Sequence, residues 1–459
     1  MNWHLDIGDC FDMKILQVSH GLPPREYAGV ELYTFYLSRA LSHLNHQVHI
    51  FCREEDPKKE EFSFSEEEID GFRVTRVVNN LTKIFDPCIY YDNHYFDDIF
   101  LKTLKRENPD VVHFQHFIAL SANLVKIAKE QGYPVVFTLH DFFILCHRTH
   151  LLKRDHRLCP GPLYGLECLS CLDDYYTLKP RDLRTRFFLG GKDILPFRII
   201  KWTKRFFIPP KYLGENGYEV FHRYRFMYEI LKMPDVLLTP SHFVKDFFLK
   251  YYPFVRSKMF VLTLGIPPIM NQGKPKNKDE KTRFCYFGNI LPMKGIHFLM
   301  DAFRNLPKGK AHLTIYGNRN PGTEIYYDQL KEQANGFSVD FRGSFKRENL
   351  SEALNDQDVV VLPSICPESY SFVIREANSL GMPVIASRMG AIPEAVQEGV
   401  NGLLFEPGNI EDLKSCMLKF IESPELVQKM ALKMRKVKSM AEHALELEKI
   451  YRGIIESRG

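Results

Sequence analysis

The chain has 459 residues, 45% of them hydrophobic and 26% charged, a length that calls for two or three domains rather than one core. A net charge of +4 over that length excludes a globally basic nucleic-acid binder and confines any anion-binding surface to local patches. No apolar run reaches the roughly 18 residues of a membrane span, and residues 1–12, with three aspartates and no apolar centre, do not read as a signal peptide.

Near the N-terminus, "KILQVSH" is a short apolar run that ends in polar residues and the loop "GLPP". It predicts a first strand. "GVELYTFYLSRALSHL" carries apolar residues at helical spacing, and "HQVHIF" reads as the next strand. "DVVHFQH", "PVVFTLHD" and "DVLLTPS" repeat the pattern of a β-rich run ending in polar residues. Helical stretches such as "LSANLVKIAKEQ" separate them. Continuous apolar strands alternating with helices predict a parallel sheet covered on both faces.

Between about 146 and 216 the alternation stops, which marks an insertion. It holds four of the ten cysteines, and a cytoplasmic chain keeps such thiols reduced, for packing or metal. Cys146, Cys159, Cys168 and Cys171 have the spacing C-x12-C-x8-C-x2-C. The closing pair is a metal-knuckle spacing, and four thiolates suffice for a closed structural zinc site. His147, His150 and His156 are substitute ligands, and the alternative is four unrelated thiols. Residues 181–212 hold nine Lys/Arg, two aspartates and seven aromatics. That mixture suits peripheral contact with an anionic membrane; the plainer alternative is a solvated insert whose aromatics pack on the domain. Nothing here resembles a nucleic-acid-binding fold.

The strand pattern restarts at "RFCYFGNI", after the linker-like "NQGKPKNKDEK". "HLTIYG", "VDFRG", "DVVVLPS", "PVIAS" and "GLLF" follow, again with helices between them. The expected organisation is α/β, two doubly wound Rossmann-like domains facing across a cleft. The N-terminal domain takes 1–263 with its insertion, the C-terminal domain takes 264–440, and a terminal helix at 441–459 packs back toward the first.

In open α/β sheets ligands bind beyond the carboxyl ends of the strands. In the second half those ends carry Gly288–Lys294, Gly317–Arg319 and Pro363–Ser371. In the first half they carry His20–Gly29, His113, His116, His140, Asp141 and Ser241. "PESYSFVIREANSLGMPVIAS" places Glu368 just before a helix and Glu376 about one turn inside it. Ser369 or Ser371 suits the N-cap, and the helix start favours a phosphate. Glu376 suits two ribose hydroxyls, as acids do in dinucleotide folds, and Glu368 suits a different group. Lys294 suits a diphosphate. Each alone is weak: glutamates eight apart arise by chance, and a Lys-Gly after a strand is more often only a helix start.

Taken together, these residues resemble the retaining, metal-independent glycosyltransferases of family 4, which have the GT-B fold. The resemblance runs from Lys14 to the final helix, apart from the insertion. Its most specific part is "PESYSFVIREANSLGMPVIASRMGAIPEAVQEGVNGLLFEPGN", where Glu368 and Glu376 form the E-x7-E pair; "FGNILPMKG" and "VSHGLPPREYAGVE" match further segments. The resemblance implies a nucleotide-diphosphate sugar as donor and a glycan or lipid-linked acceptor, in polysaccharide or cell-envelope biosynthesis, with no catalytic cofactor. It implies a cytoplasmic protein, or one peripheral on the inner face of the membrane. Glu376 would bind the ribose and Glu368 the hydroxyls of the transferred sugar. Main-chain N–H groups of Tyr370, Ser371 and Phe372 would meet phosphate and sugar. Lys294 and the position of Asn289 would face the diphosphate, with "FRGSF" (341–345) bordering the base. Gly29 would lie in the glycine loop, and His140 would face the reacting sugar. The chain departs from the pattern at Asn289, commonly arginine, and at Ala28-Gly29, commonly two glycines. Two other readings remain at this point: a non-catalytic nucleotide-sugar-binding subunit, and an epimerase on the same fold.

Overall fold

A computed structural model describes residues 13–81, 90–153, 155–162, 165, 168, 171–172, 214–269, 281–319 and 322–458. Counting helices of eight residues or more, the first half contains β1 (Lys14–Ser19), α1 (Gly29–His43), β2 (Gln47–Glu54), β3 (Phe64–Ile69), β4 (Phe72–Val78), α2 (Asp97–Glu107), β5 (Val111–Phe114), α3 (Asn123–Glu130), β6 (Val135–Thr138), α4 (Gly214–Lys232), β7 (Val236–Thr239), α5 (His242–Tyr251) and β8 (Met259–Val261). The second half contains β9 (Thr282–Phe287), α6 (Ile296–Arg304), β10 (Ala311–Tyr316), α7 (Glu324–Gln333), β11 (Val339–Gly343), β12 (Val359–Leu362), α8 (Phe372–Ser379), β13 (Val384–Ser387), β14 (Gly402–Phe405), α9 (Ile410–Glu422) and α10 (Met440–Glu456).

The strands form two sheets, ordered β3-β4-β2-β1-β5-β6-β7-β8 and β11-β10-β9-β12-β13-β14. Every pairing is parallel except β3 with β4. The central strands β5, β6, β12 and β13, and the edge strand β14, expose no residue. That is why they read as unbroken apolar runs, since helices cover both faces of each sheet. The β3–β4 hairpin is an addition to the expected pattern. It turns at Asp70-Gly71, where both residues have positive φ, the backbone such tight hairpin turns require.

Each sheet reverses its winding once, between β1 and β5 in the first and between β9 and β12 in the second. The loops leaving those strands diverge there and open a crevice. The two rims meet. Ser241 Oγ donates to the Ser369 carbonyl at 2.7 Å, and the Glu394 carboxylate accepts from the backbone N–H of His242 and Phe243 at 2.9 and 2.6 Å. That places an acid from the second domain on the start of α5.

Helix α10 returns to the first domain and buries Leu447, Tyr451 and Ile454 in its core. Its start is fixed by a capping box between Ser439 and Glu442. His443 meets the Tyr33 hydroxyl at 2.6 Å, and the Tyr451 hydroxyl meets His113 Nδ1 at 2.6 Å. Among the described residues no helix is long and apolar enough to cross a membrane. The basic aromatic stretch at 181–212 lies outside the described residues.

Candidate functional site

The loop after β9 closes on the loop after β12 because of a glycine. Gly295 has φ +71°, and a Cβ there would sit 1.9 Å from the Pro363 carbonyl oxygen. This approach brings Lys294 Nζ within 2.7 Å of Glu368 Oε1. Ser364 Oγ donates to the same oxygen at 2.7 Å. Burial opposes the charge on Lys294, but Glu368 beside it raises its pKa. Burial also opposes the charge on Glu368, but Lys294 and Ser364 hold its pKa below the usual range. The two residues expected to take separate duties are partners.

Glu376, only 6% exposed, sits on the second turn of α8. Its carboxylate pairs with Arg347, from the loop after β11. Burial raises the pKa of Glu376, and Arg347 offsets this only in part. Arg347 lies over the Tyr36 ring of α1, 5.9 Å from its centroid. Its Nε and Nη2 are buried and have no hydrogen-bond partner among the described residues. Those two groups form one edge of the guanidinium fork, the geometry that grips a bidentate acceptor. Nothing in the sequence marked Arg347: it belongs to no motif and lies 29 positions before its partner.

Ser371 corrects the expectation of a serine cap. It occupies the N-cap position of α8 but in left-handed backbone, φ 59°, and its side chain accepts no helix N–H. Its Oγ is buried without a partner among the described residues. The Arg375 guanidinium reaches back to the carbonyls of Tyr370 and Ser371, and the Tyr370 hydroxyl donates to the Leu264 carbonyl. The start of α8 is thus held open, uncapped by any side chain, with an arginine behind it. The ring of Phe372 lies 3.9 Å from where a Cβ on Gly29 would stand. Gly29 is the first residue of α1, and the preceding Ala28 has φ −87°, so alanine fits there without strain. Asn289 is exposed, and its carbonyl accepts from the Tyr286 hydroxyl at 2.7 Å.

Across the crevice, His140 Nε2 lies 2.7 Å from Gln115 Oε1. Gln115 Nε2 in turn donates to Gln17 Oε1 at 2.7 Å, which orients the amide so that His140 must donate from Nε2. Burial pushes the His140 pKa down to about 3, with His116 nearby adding to the effect. The ring is therefore neutral, with Nδ1 as an acceptor. His116 Nε2 meets Asp141 Oδ2 at 3.0 Å, and His20 Nε2 meets Glu31 Oε1 at 2.9 Å. The rings of His20 and His116 are 4.4 Å apart.

The four insertion cysteines also converge. Cys146, Cys159, Cys168 and Cys171 all line one cavity of about 20 Å³, together with Leu145, His147, Arg148 and Leu152. None of the four is disulfide-bonded. Among the described residues, no three His, Cys, Asp or Glu side chains are set around a common point as metal ligands.

Comparison with known proteins gives two family matches: the model described as "Glycosyl transferases group 1" over residues 270–437, and that described as "Glycosyltransferase Family 4" over residues 27–161. Among curated relatives, the sulfoquinovosyl transferase SQD2 of Arabidopsis thaliana is 32% identical over 153 residues, 33% of this chain and 27% of that protein. The lipopolysaccharide 1,2-N-acetylglucosaminetransferase of Salmonella typhimurium is 27% identical over 186 residues, 37% of this chain and 49% of that protein. The matches span from about a quarter to about half the length of the curated relatives. Among solved structures, sucrose-phosphate synthase from Thermosynechococcus elongatus superposes with a TM-score of 0.66 at 17% identity, covering 97% of this chain and 100% of that one. HepE of Anabaena in complex with UDP and glucose gives 0.61 at 15% identity, covering 96% and 99%.

Proposed function

The chain belongs to the group 1, family 4 glycosyltransferases of GT-B fold, and from that premise we propose that it transfers a sugar, with retention, from a nucleotide-diphosphate sugar to a glycan or lipid-linked acceptor in polysaccharide or cell-envelope assembly. One arrangement carries the reading. Lys294, Glu368, the uncapped start of α8 and Glu376 converge where the second sheet changes its winding, and α1, with Gly29 and Tyr36, faces them from the first domain. The HepE structures hold UDP or UDP-glucose, and a starch synthase of the same fold holds ADP, which supports a nucleotide-sugar donor here.

In this reading Glu376 accepts the ribose hydroxyls. The main-chain N–H groups of Tyr370, Ser371 and Phe372 meet phosphate and sugar, and Lys294 turns from Glu368 to the diphosphate as negative charge builds there. Asn289 adds hydrogen bonding but no charge, so Lys294 carries more of the leaving-group stabilisation. Glu368, released from its lysine, accepts hydroxyls of the transferred sugar. Neutral His140 faces that sugar as a hydrogen-bonding group. The acceptor hydroxyl attacks on the face the diphosphate leaves, and the departing phosphate takes its proton. Residues 181–212 would rest on an anionic membrane at the cytoplasmic face, beside a lipid-linked acceptor.

The test is a screen of nucleotide sugars for nucleoside-diphosphate release, with mass analysis of the acceptor. Release coupled to acceptor mass gain supports the reading. Release with no sugar on any acceptor points to epimerase or hydrolytic chemistry. Tight nucleotide binding with no turnover points to a non-catalytic subunit.

A further inference from the structure

Cys146 follows the loop that leaves β6, seven residues after Leu139, while Cys168 and Cys171 lie more than 20 residues further on. Spacing alone left open whether these thiols meet. All four line one cavity, and its volume of about 20 Å³ accommodates a single water-sized occupant. The surrounding segment has little structure of its own among the described residues. One antiparallel bridge joins Leu152 to Leu158, the Cys159 N–H donates to the Leu151 carbonyl at 2.7 Å, and Arg148 donates twice to the Cys171 carbonyl at 3.2 and 3.0 Å.

A second observation concerns charge. Arg223 of α4 is 2% exposed. Its guanidinium donates to the Phe143 carbonyl and lies over the rings of Tyr91 and Phe143, at 5.5 and 4.8 Å from their centroids. Phe143 lies three residues before Cys146, whose N–H donates to the Phe142 carbonyl at 2.7 Å, so the guanidinium sits against the turn that carries the first of the cysteines. Among the described residues no carboxylate pairs with it. A buried cation is costly unless it is paired, so an anionic centre close to it would be favoured.

We propose that Cys146, Cys159, Cys168 and Cys171 together bind one structural zinc ion. Binding releases four protons to solvent and leaves a Zn(Cys)4 centre of net charge −2, which supplies the counter-charge to Arg223. Among the described residues no three of the thiols are set around a common point, so binding requires them to draw together and couples the metal to the order of the loop, as such sites commonly show. Four thiolates leave no open coordination position, so the ion has no part in sugar transfer. The proposal is independent of the donor and acceptor assigned above.

The experiment is metal analysis of the full chain, purified without chelator from zinc-supplemented cells, alongside the Cys168→Ser/Cys171→Ser variant. The expected result is about one zinc per chain in the wild type and under about a tenth in the variant. Should the variant fail to fold, a mercurial titration of the wild type decides the matter: zinc, followed with a chromogenic chelator, is released in step with the modification of four of the ten thiols. Zinc-free wild-type protein, zinc retained by a folded variant, or release out of step with the four thiols would each overturn the proposal.

Discussion

If Lys294 is held by Glu368 until the donor arrives, neutralising Glu368 should strengthen diphosphate binding while harming turnover. The pair is 2.7 Å apart, with the side chains 25% and 14% exposed. That lies between a surface pair, worth up to about 1 kcal/mol, and a fully buried one, whose breaking costs about 3–5 kcal/mol. A value of about 1–2 kcal/mol is reasonable, and a diphosphate must overcome it to engage the lysine. Glu368→Gln removes both that competition and the repulsion between carboxylate and phosphate. The dissociation constant for nucleoside diphosphate should therefore fall by about five- to thirtyfold. Calorimetric titration with UDP, ADP and GDP reads this directly for whichever binds the wild type. On a Lys294→Met background only the smaller repulsive part should remain. An unchanged or weaker affinity in Glu368→Gln would refute the reasoning, because the lysine would then not be restrained by its partner.

Four further outcomes are expected. Glu376→Ala should weaken nucleoside-diphosphate binding about tenfold or more, the scale of a lost charge-assisted hydrogen bond; unchanged affinity in a titration counts against the ribose assignment. Arg347→Gln strips the cation from beside a carboxyl whose pKa burial already raises. Diphosphate binding by this variant should weaken as pH falls from 8 to 6 while the wild type changes little, which parallel titrations would show. Transfer activity should survive brief exposure to chelator; loss restored by magnesium or manganese would contradict a leaving group served by Lys294 and the start of α8. Stability should fall with acid before the carboxylates titrate. His140 and His443 are held near 3 by burial, so they bind fewer protons folded than unfolded. Their contribution is present above the unfolded value near 6.5 and is lost as pH drops toward 3, roughly 2 kcal/mol each by pH 5, and urea unfolding at pH 7 and pH 5 measures it.

Much of the architecture was legible because buried parallel strands leave an unmistakable trace: "DVVVLPS" and "PVVFTLH" are apolar for as long as they are covered, then turn polar where the crevice begins. The positions of Glu368, Glu376, Lys294 and His140 at those ends followed from the same trace. Their partnerships did not. Lys294 meets Glu368 across 74 residues because β9 and β12 are neighbours in the sheet, and strand order is not written in either segment. Arg347 reaches Glu376 from near an edge strand for the same reason. Ser371 misled because a serine before a helix ordinarily caps it, whereas here the backbone turns left-handed and the hydroxyl is buried. The β3–β4 hairpin carried a visible Asp-Gly signal, but its strand "FSEEEI" is too polar to match the buried-strand pattern that organised the rest.

The chain passes between domains twice, and both passages lie side by side. The Ile266 N–H donates to the Lys438 carbonyl at 3.0 Å and the Met440 N–H to the Ile266 carbonyl at 2.8 Å. At Gly265 a Cβ would stand 2.5 Å from the Ser439 carbonyl oxygen. Two adjacent straps behave like the pin of a door: they permit swing about one line and resist sliding and twist. Opening and closing of the crevice would then be a one-dimensional motion, with the wall that carries Glu368 always returning to the same place against His140. A side chain at 265 would wedge the pin, so even an alanine there, far from any chemistry, should alter how far the door shuts.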